Sequence, residues 1–160
     1  MSLIDVARRL YARDSFGVEL STTADALDST LIDLCLSLFP WAPFRHGHAA
    51  VKLHTMLDLR GSIPSFVHIS GGLTSDLALL DQITFEPGSF YIMARGYVDF
   101  ARLYAIYNAH AFFVSRAKAN LRYRCVSSQP VDRASGLRRE QRIVLTGLFT
   151  KYGISARGWR

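Results

Sequence analysis

This chain has few cysteines, no long apolar run and no apolar leader, and each absence excludes a class of protein. Its two cysteines, Cys35 and Cys125, lie far apart in unrelated contexts, which argues against a CxxC redox or zinc pair. No apolar run approaches the roughly 20 residues needed to cross a bilayer. The first residues include an early acid and lack the apolar h-region of a secretory signal. We therefore expect a cytoplasmic protein with no membrane span.

Positive charge is concentrated in the last part of the chain. Residues 1–115 contain 8 Lys and Arg against 11 Asp and Glu, a net charge of −3, whereas residues 116–160 contain 11 against 2, a net charge of +9. Aromatic residues, including Tyr123 and Trp159, are interleaved with these cations. This composition fits a surface that faces a polyanion such as nucleic acid. A solvated arm that only keeps the protein soluble is the alternative.

Apolar periodicity predicts the order of helices and strands. Residues 3–13 have helical spacing, and three alternating segments at residues 26–36, 50–59 and 65–70 predict strands, the last two as an antiparallel hairpin. A helix is predicted after Thr74 or Ser75, with Leu77, Leu80 and Ile83 buried. A strand at residues 90–93, a helix at residues 99–110 that buries Phe100, Leu103, Tyr104 and Tyr107, and a strand at residues 111–114 complete the series.

The order βββαβαβ predicts an α/β fold with a mixed sheet and flanking helices. Hairpin strands followed by strand–helix–strand units give such a sheet, and the ribonuclease-H-like fold has this order. In that fold the first and fourth strands are neighbours. We therefore expect Asp28, on the first strand, to lie close to position 94, at the end of the fourth. That position is Ala94, where a catalytic or metal-binding side chain is expected.

Several long blocks of the chain resemble bacterial DDE transposases of the insertion-sequence-4 group. The most specific are the block from Ala26 to Trp41, the block from Arg95 to Tyr104 and the block from Ala111 to Lys118. The resemblance extends over about residues 5 to 148, nearly the whole chain. It implies a ribonuclease-H-like catalytic core in which three acids hold two divalent metal ions, normally Mg²⁺, for cleavage and strand transfer of DNA.

The resemblance also assigns roles to individual positions. Asp28 corresponds to the first catalytic, metal-binding acid. The second acid belongs to a motif that usually begins Asp-Arg-Gly-Tyr, where this chain has Ala94, Arg95, Gly96 and Tyr97. The third, a glutamate, normally lies beyond residue 148, so we expect an incomplete C-terminal part and a chain that is inactive by itself. Double-stranded DNA is the expected partner, together with a second copy or a full-length transposase.

Five cations are predicted to contact DNA. Arg95 lies beside the second-acid position, and alternation along an extended arm places the others on one side: Arg116, Lys118, Arg122 and Arg124. A solvated strand edge is the alternative for these four. The predicted organisation is an N-terminal amphipathic helix and lead-in at residues 1–20, a transposase core at residues 21–118, and a basic β-rich remnant with an aberrant tail at residues 119–160.

Other polar residues have more than one interpretation. Asp99 begins a predicted helix and is interpreted as its cap, although Asp76 or Asp99 replacing the missing acid in a working nuclease stays open. Three histidines, His46, His48 and His54, lack a fourth ligand at zinc spacing, so no zinc site is predicted. The alternative function is a noncatalytic DNA-binding protein that retains the fold and poisons intact transposases by joining their oligomers.

Overall fold

Five strands form one mixed sheet in the computed structural model, which describes residues 22–45 and 48–146 together with Val6 and Leu10. The strands are β1 (Ala24–Leu34), β2 (Ala49–Asp58), β3 (Ile63–Gly71), β4 (Phe90–Met93) and β5 (Phe112–Ser115), in the spatial order β3-β2-β1-β4-β5. β1, β2 and β3 pair antiparallel, and β4 pairs parallel with both β1 and β5. The predicted ribonuclease-H-like α/β fold is confirmed.

Two helices connect the parallel strands. α1 (Leu77–Leu80) lies between β3 and β4, and α2 (Phe100–Asn108) lies between β4 and β5. Both connections advance in the same direction across the sheet, so right-handed crossovers place both helices on the same face. That face contains the core, with side chains less than a tenth exposed: Leu27, Leu79, Leu80, Tyr91, Met93, Leu103 and Ile106. The Tyr91 hydroxyl accepts a hydrogen bond from the Glu86 backbone N–H at 2.9 Å.

The opposite face of the sheet is open among the described residues. Strand alternation and the pairing register place a set of exposed apolar side chains there: Ile32, Val67, Ile69, Phe112 and Val114. Phe112 stacks on Phe90 of the neighbouring strand, with ring centroids 4.8 Å apart. The predicted strands are correct in position. The described helices cover only one side of the sheet that these strands form.

The two helices differ in detail from the prediction. α1 has only four residues. Asp76 at its N-cap position makes no capping hydrogen bond, and its carboxylate instead contacts residues of β1 and β2. In α2 the buried residues are Leu103 and Ile106. The expected burial of Tyr107 is wrong, since its side chain is 42% exposed and stacks beside Tyr104. The predicted cap is confirmed, because the Asp99 carboxylate accepts a hydrogen bond from the Arg102 N–H at 3.1 Å.

The chain divides into two compact units, residues 1–116 and residues 117–160. The first contains the sheet and both helices. The second contains an antiparallel hairpin of β6 (Tyr123–Gln129) and β7 (Glu140–Leu145). Of the helix predicted at residues 3–13, only Val6 and Leu10 are described, and both have helical backbone; its other residues lie outside the described part. No helix in the described ranges is long and apolar enough to span a membrane.

Candidate active site

Asp28 and Ala94 occupy equivalent positions on neighbouring parallel strands. The ladder between β1 and β4 ends with Leu27 paired to Met93, and Asp28 and Ala94 are the next residues on their strands. Ala94 keeps extended backbone angles (φ −66°, ψ 161°) before a 3-10 turn at Arg95–Tyr97. Its methyl group therefore projects to the same side of the sheet as the Asp28 carboxylate. The strand pairing that the sequence predicts is observed, while the catalytic role of Asp28 stays a prediction.

This site offers too few oxygen ligands for the two-metal chemistry that the sequence resemblance implies. Two-metal phosphoryl transfer needs several carboxylates around a pair of cations, and here a single carboxylate faces a methyl group. Across residues 22–45 and 48–146, no group of three or more His, Cys, Asp or Glu side chains is placed to hold a metal ion. The residues present at Asp28 and Ala94 thus do not fit a pair of Mg²⁺ ions.

Neither proposed substitute acid joins Asp28. Asp76 accepts a hydrogen bond from the Ser29 hydroxyl at 3.0 Å, and Ser29, as the next residue on the strand, faces the opposite side of the sheet from Asp28. Asp99 caps α2 and lies 3.5 Å from the Arg102 guanidinium. Both carboxylates are engaged in contacts away from the open face. The contacts therefore do not favour a nuclease that recruits Asp76 or Asp99.

A polar cluster lies on the helix-covered side, directly behind the Asp28 position. Asp76 Oδ1 is 3.0 Å from the Lys52 ammonium and 4.0 Å from His54 Nδ1. Lys52 also donates to the Thr74 carbonyl at 2.7 Å, and His54 Nε2 is 2.9 Å from the Ser70 hydroxyl. These contacts connect β1, β2, the end of β3 and the start of α1. The cluster therefore fixes the loop before α1 against the sheet.

Burial changes the protonation of two members of this region. Burial lowers the pKa of His54, whose side chain is only 1% exposed, although the nearby Asp76 carboxylate opposes that change. Burial raises the pKa of Tyr97 to about 12, and the Ser29 hydroxyl offsets part of this increase. Within the described residues, His54 Nδ1 and the Tyr97 hydroxyl are buried without a hydrogen-bond partner. Both groups are thus neutral at physiological pH.

The sequence alone did not single out this cluster. Strand alternation places Lys52 and His54 on one face of β2, but it does not show that the face is covered or that Asp76 reaches it. The turn after β4 adds a steric constraint, because a Cβ on Gly96 would lie 3.1 Å from Asp76 Oδ2. Glycine at position 96 thereby leaves room for that carboxylate, and Arg95 beside it is exposed.

The predicted basic arm is only partly correct. Arg116 follows the end of β5, and Lys118 lies in a turn in which the Leu121 N–H donates to its carbonyl, so neither continues the strand of Arg122 and Arg124. In the hairpin, Arg124 is opposite Val144, and the Thr146 N–H donates to the Arg122 carbonyl.

The register of the hairpin adds a cation that the sequence did not indicate. Arg142 lies two residues before Val144 and is paired with Ser127 beyond a β-bulge, so it shares a face with Arg122 and Arg124. The opposite face of the hairpin contains Tyr123, Cys125, Ile143 and Leu145. We call the side formed by Arg122, Arg124 and Arg142 the arginine face. Diagonal neighbours on such a ladder are about 7 Å apart, a spacing that suits phosphates along one strand of nucleic acid.

Comparisons with known proteins agree with this architecture. The family model described as "Transposase DDE domain" matches residues 22–149. "Putative transposase y4zB" of Sinorhizobium fredii is 31% identical over 110 residues, which cover 69% of this chain and 31% of that protein. "Probable transposase for insertion sequence element IS5377" of Geobacillus stearothermophilus is 32% identical over 95 residues, which cover 59% of this chain and 25% of that protein. The chain thus spans less than a third of each relative, and no solved structure matches it significantly.

Proposed function

This chain belongs to the DDE transposase domain family, and from that premise we propose that it is a transposition-derived core that binds double-stranded DNA but does not cleave it. The observation that supports inactivity is the pairing of β1 with β4, which brings Ala94, where the family pattern has an acid, beside Asp28. One carboxylate cannot bind the two cations that stabilise the attacking and leaving oxygens. Cytoplasmic DNA is the proposed ligand, with Mg²⁺ binding weakly at most.

DNA binding is proposed to use the arginine face of the hairpin. Alternation places Arg124 and Arg142 on one side of the two-stranded ribbon, and Arg122 continues that side one residue before β6. All three arginines are exposed, and Glu140 is the one acid that the register of the described hairpin places on the same face. Arginine contacts to phosphates bind DNA without reading its sequence and release condensed counterions. Arg95, exposed in the turn after Ala94, is proposed as a further phosphate contact at the edge where Asp28 lies.

Salt dependence tests the DNA interface. The slope of log affinity against log salt concentration should flatten by about 0.9 for each phosphate that the protein no longer neutralises. We expect the triple variant Arg122→Ala, Arg124→Ala, Arg142→Ala to flatten this slope by roughly 2 to 3. The matched control removes the same charge from the segment between the strands: Arg133→Ala, Arg138→Ala, Arg139→Ala. Equal effects of the two triple variants would show that net charge, and not the arginine face, determines binding.

Cleavage is tested separately with supercoiled duplex DNA and Mn²⁺ or Mg²⁺. We expect no nicking above that of the Asp28→Asn variant, which has the same fold but lacks the remaining acid. Robust cleavage that disappears in Asp28→Asn would contradict the proposed inactivity while leaving the DNA interface unaffected.

A second candidate function is the noncatalytic partner that joins transposases in dead oligomers. The exposed apolar side chains on β3 and β5, at the two edges of the open face, favour it, since exposed apolar patches mark contact sites. Co-purification with a full-length relative that is abolished by Val67→Lys and Ile69→Lys on β3 would support this candidate. A monomeric chain that leaves the activity of the full-length relative unchanged would exclude it.

A further inference from the structure

The β1–β2 hairpin extends past the edge of the sheet where Asp28 and Ala94 lie. Pairing of β1 with β4 ends at Leu27 and Met93, whereas pairing of β1 with β2 continues to Leu34 and Ala49. At about 3.3 Å per residue, the hairpin extends roughly 20 Å beyond the last rung shared with β4. The described residues of its connecting segment, 35–45 and 48, therefore lie beyond the candidate site on the same edge.

This connecting segment has a defined shape over its described residues, 35–45 and 48. Ala42, Ala49 and Val51 form a small buried cluster against which Leu34 packs. The Phe44 N–H donates to the His48 carbonyl at 2.7 Å, and the Ala50 N–H donates to the Ala42 carbonyl at 3.0 Å.

The end of β3 supports the same segment. A Cβ on Gly72 would lie 2.8 Å from the Phe44 ring and 3.0 Å from the Ala50 carbonyl oxygen, so only glycine allows this approach. The segment is thereby held against β2 and the end of β3, and its outward side chains are presented from a preorganised support.

The outward side chains are large and apolar. Trp41 is 68% exposed and Leu38 is 73% exposed. Phe39 packs edge-on against Trp41, with ring centroids 6.1 Å apart, which limits the orientations open to the indole. A tryptophan this exposed does not contribute to packing of the core. Its indole face is therefore available to a planar partner.

The charge around Trp41 selects the kind of partner. The connecting segment, residues 35–48, contains no Asp or Glu and contains Arg45 and two histidines, whereas Lys52 and His54 lie beside Asp76 on the helix-covered side of the sheet. An exposed aromatic side chain on a segment that has Arg45 and no acid of its own suits a nucleic acid, whose bases stack on the ring while its phosphates pair with the cation. Acidic side chains would be expected to rim a site that receives a basic protein surface.

We propose that Trp41 stacks on an unpaired nucleobase of DNA bound along this edge. The end of the β1–β2 hairpin then forms a second nucleic-acid contact, in addition to the arginine face of the β6–β7 hairpin. Stacking on an unpaired base requires a base that is free of its complement, which a single-stranded overhang provides and a fully paired duplex does not. The inference rests on the proposed DNA-binding function. It adds a preference for DNA ends that the arginine face, which contacts only phosphates, cannot supply.

Tryptophan fluorescence provides a direct test, because the chain has only two tryptophans, Trp41 and Trp159. In the Trp159→Phe variant, emission reports Trp41 alone. We expect quenching when a duplex with a single-stranded overhang is added, and little quenching with the same duplex made blunt. Binding is followed in parallel by anisotropy of a dye on the DNA. We expect Trp41→Ala to weaken binding of the overhang duplex by about tenfold, and Trp41→Phe to recover part of that affinity.

Matched variants separate this contact from the proposed function and from folding. Leu137→Ala removes another exposed apolar side chain, one that belongs to neither proposed contact, and is expected to leave overhang binding unchanged. Trp41→Ala is expected to leave the salt slope unchanged, since the indole contacts no phosphate. DNA binding without quenching of Trp41 overturns the inference and leaves the DNA-binding function intact, whereas failure to bind either duplex contradicts both. Emission that changes with protein concentration in the absence of DNA would overturn the inference in favour of contact between two copies.

Discussion

Asp28 and Ala94 stand side by side at the carboxyl ends of two parallel strands, one residue beyond the paired Leu27 and Met93. A carboxylate thus faces a methyl group at the position where the sequence resemblance implies a pair of acids. Restoring the second acid should restore affinity for divalent metal, because a second carboxylate adds both a ligand and a negative charge. One substitution, Ala94→Asp, is enough to test whether residues 28 and 94 converge on one metal ion.

We expect Ala94→Asp to bind Mn²⁺ more tightly than the parent chain by about tenfold or more, since oxygen ligand number and charge set affinity for hard cations. Without metal, the variant should melt at a lower temperature because two carboxylates repel each other, and Mn²⁺ should raise its melting temperature. Calorimetric titration and thermal unfolding measure these effects. The double variant Asp28→Asn, Ala94→Asp is the control. Equal Mn²⁺ stabilisation in both variants would show that the two positions do not converge on one ion.

Asp76 is expected to contribute more to stability than Asp81, which is more exposed although it forms a bidentate ion pair with Arg102. Its carboxylate contacts Ser29 and Lys52, whose side chain is only 17% exposed, so Asp76→Asn leaves a largely buried ammonium without its counter-charge. We expect a loss of about 1–3 kcal/mol in the free energy of unfolding. Asp81→Asn is the control, because Asp81 binds Arg102 through two hydrogen bonds but is 57% exposed and screened by water. Denaturant titration should rank Asp76→Asn as the more damaging, and the reverse order would contradict this assignment.

His54 should make the folded state sensitive to acid. Burial lowers its pKa below the ordinary value of 6.5, so below that pH the unfolded chain binds a proton that the folded chain does not. The stability contributed by His54 is therefore complete above pH 6.5 and is lost as pH falls through its lower folded-state pKa. Lys52 and His68 disfavour the imidazolium and Asp76 favours it.

The His54→Gln variant tests this linkage. Its free energy of unfolding should fall less steeply than that of the parent chain as the solution is acidified below pH 6.5. Because the two proteins differ only at residue 54, the difference between their pH profiles reports the titration of His54. Parallel profiles would show that the imidazole titrates alike in the folded and unfolded states.

The Tyr97 hydroxyl is expected to add nothing to stability. It is buried beside the Ser29 hydroxyl but has no hydrogen-bond partner of acceptable geometry in the described part of the chain, and desolvating an unpaired hydroxyl costs about 1–3 kcal/mol. Tyr97→Phe should therefore unfold at a denaturant concentration equal to or above that of the parent. The same variant should lack the phenol that ionises near pH 12 in an absorbance titration. A clearly less stable Tyr97→Phe protein would show that the hydroxyl has a partner.

Local sequence predicts most of the sheet because alternation is a property of each strand by itself. β4 has the predicted bounds, Phe90–Met93, and β1 begins two residues earlier than predicted. The predicted α1 is too long, because the preference of Asp76 for a helix start does not reveal its contacts with Lys52 and Ser29. The predicted burial of Tyr107 fails because the helix is rotated so that Ile106 enters the core.

The sequence by itself determined the strand and helix order, the basic character of the last third and the absence of an acid at Ala94, because these depend on residue identity and local periodicity. Only the tertiary structure decided that Arg142 joins Arg122 and Arg124, that Asp76 lies with Lys52 and His54, and that Trp41 stands beyond the edge of Asp28. Pairing register and burial arise between residues distant in the chain, so no local pattern specifies them.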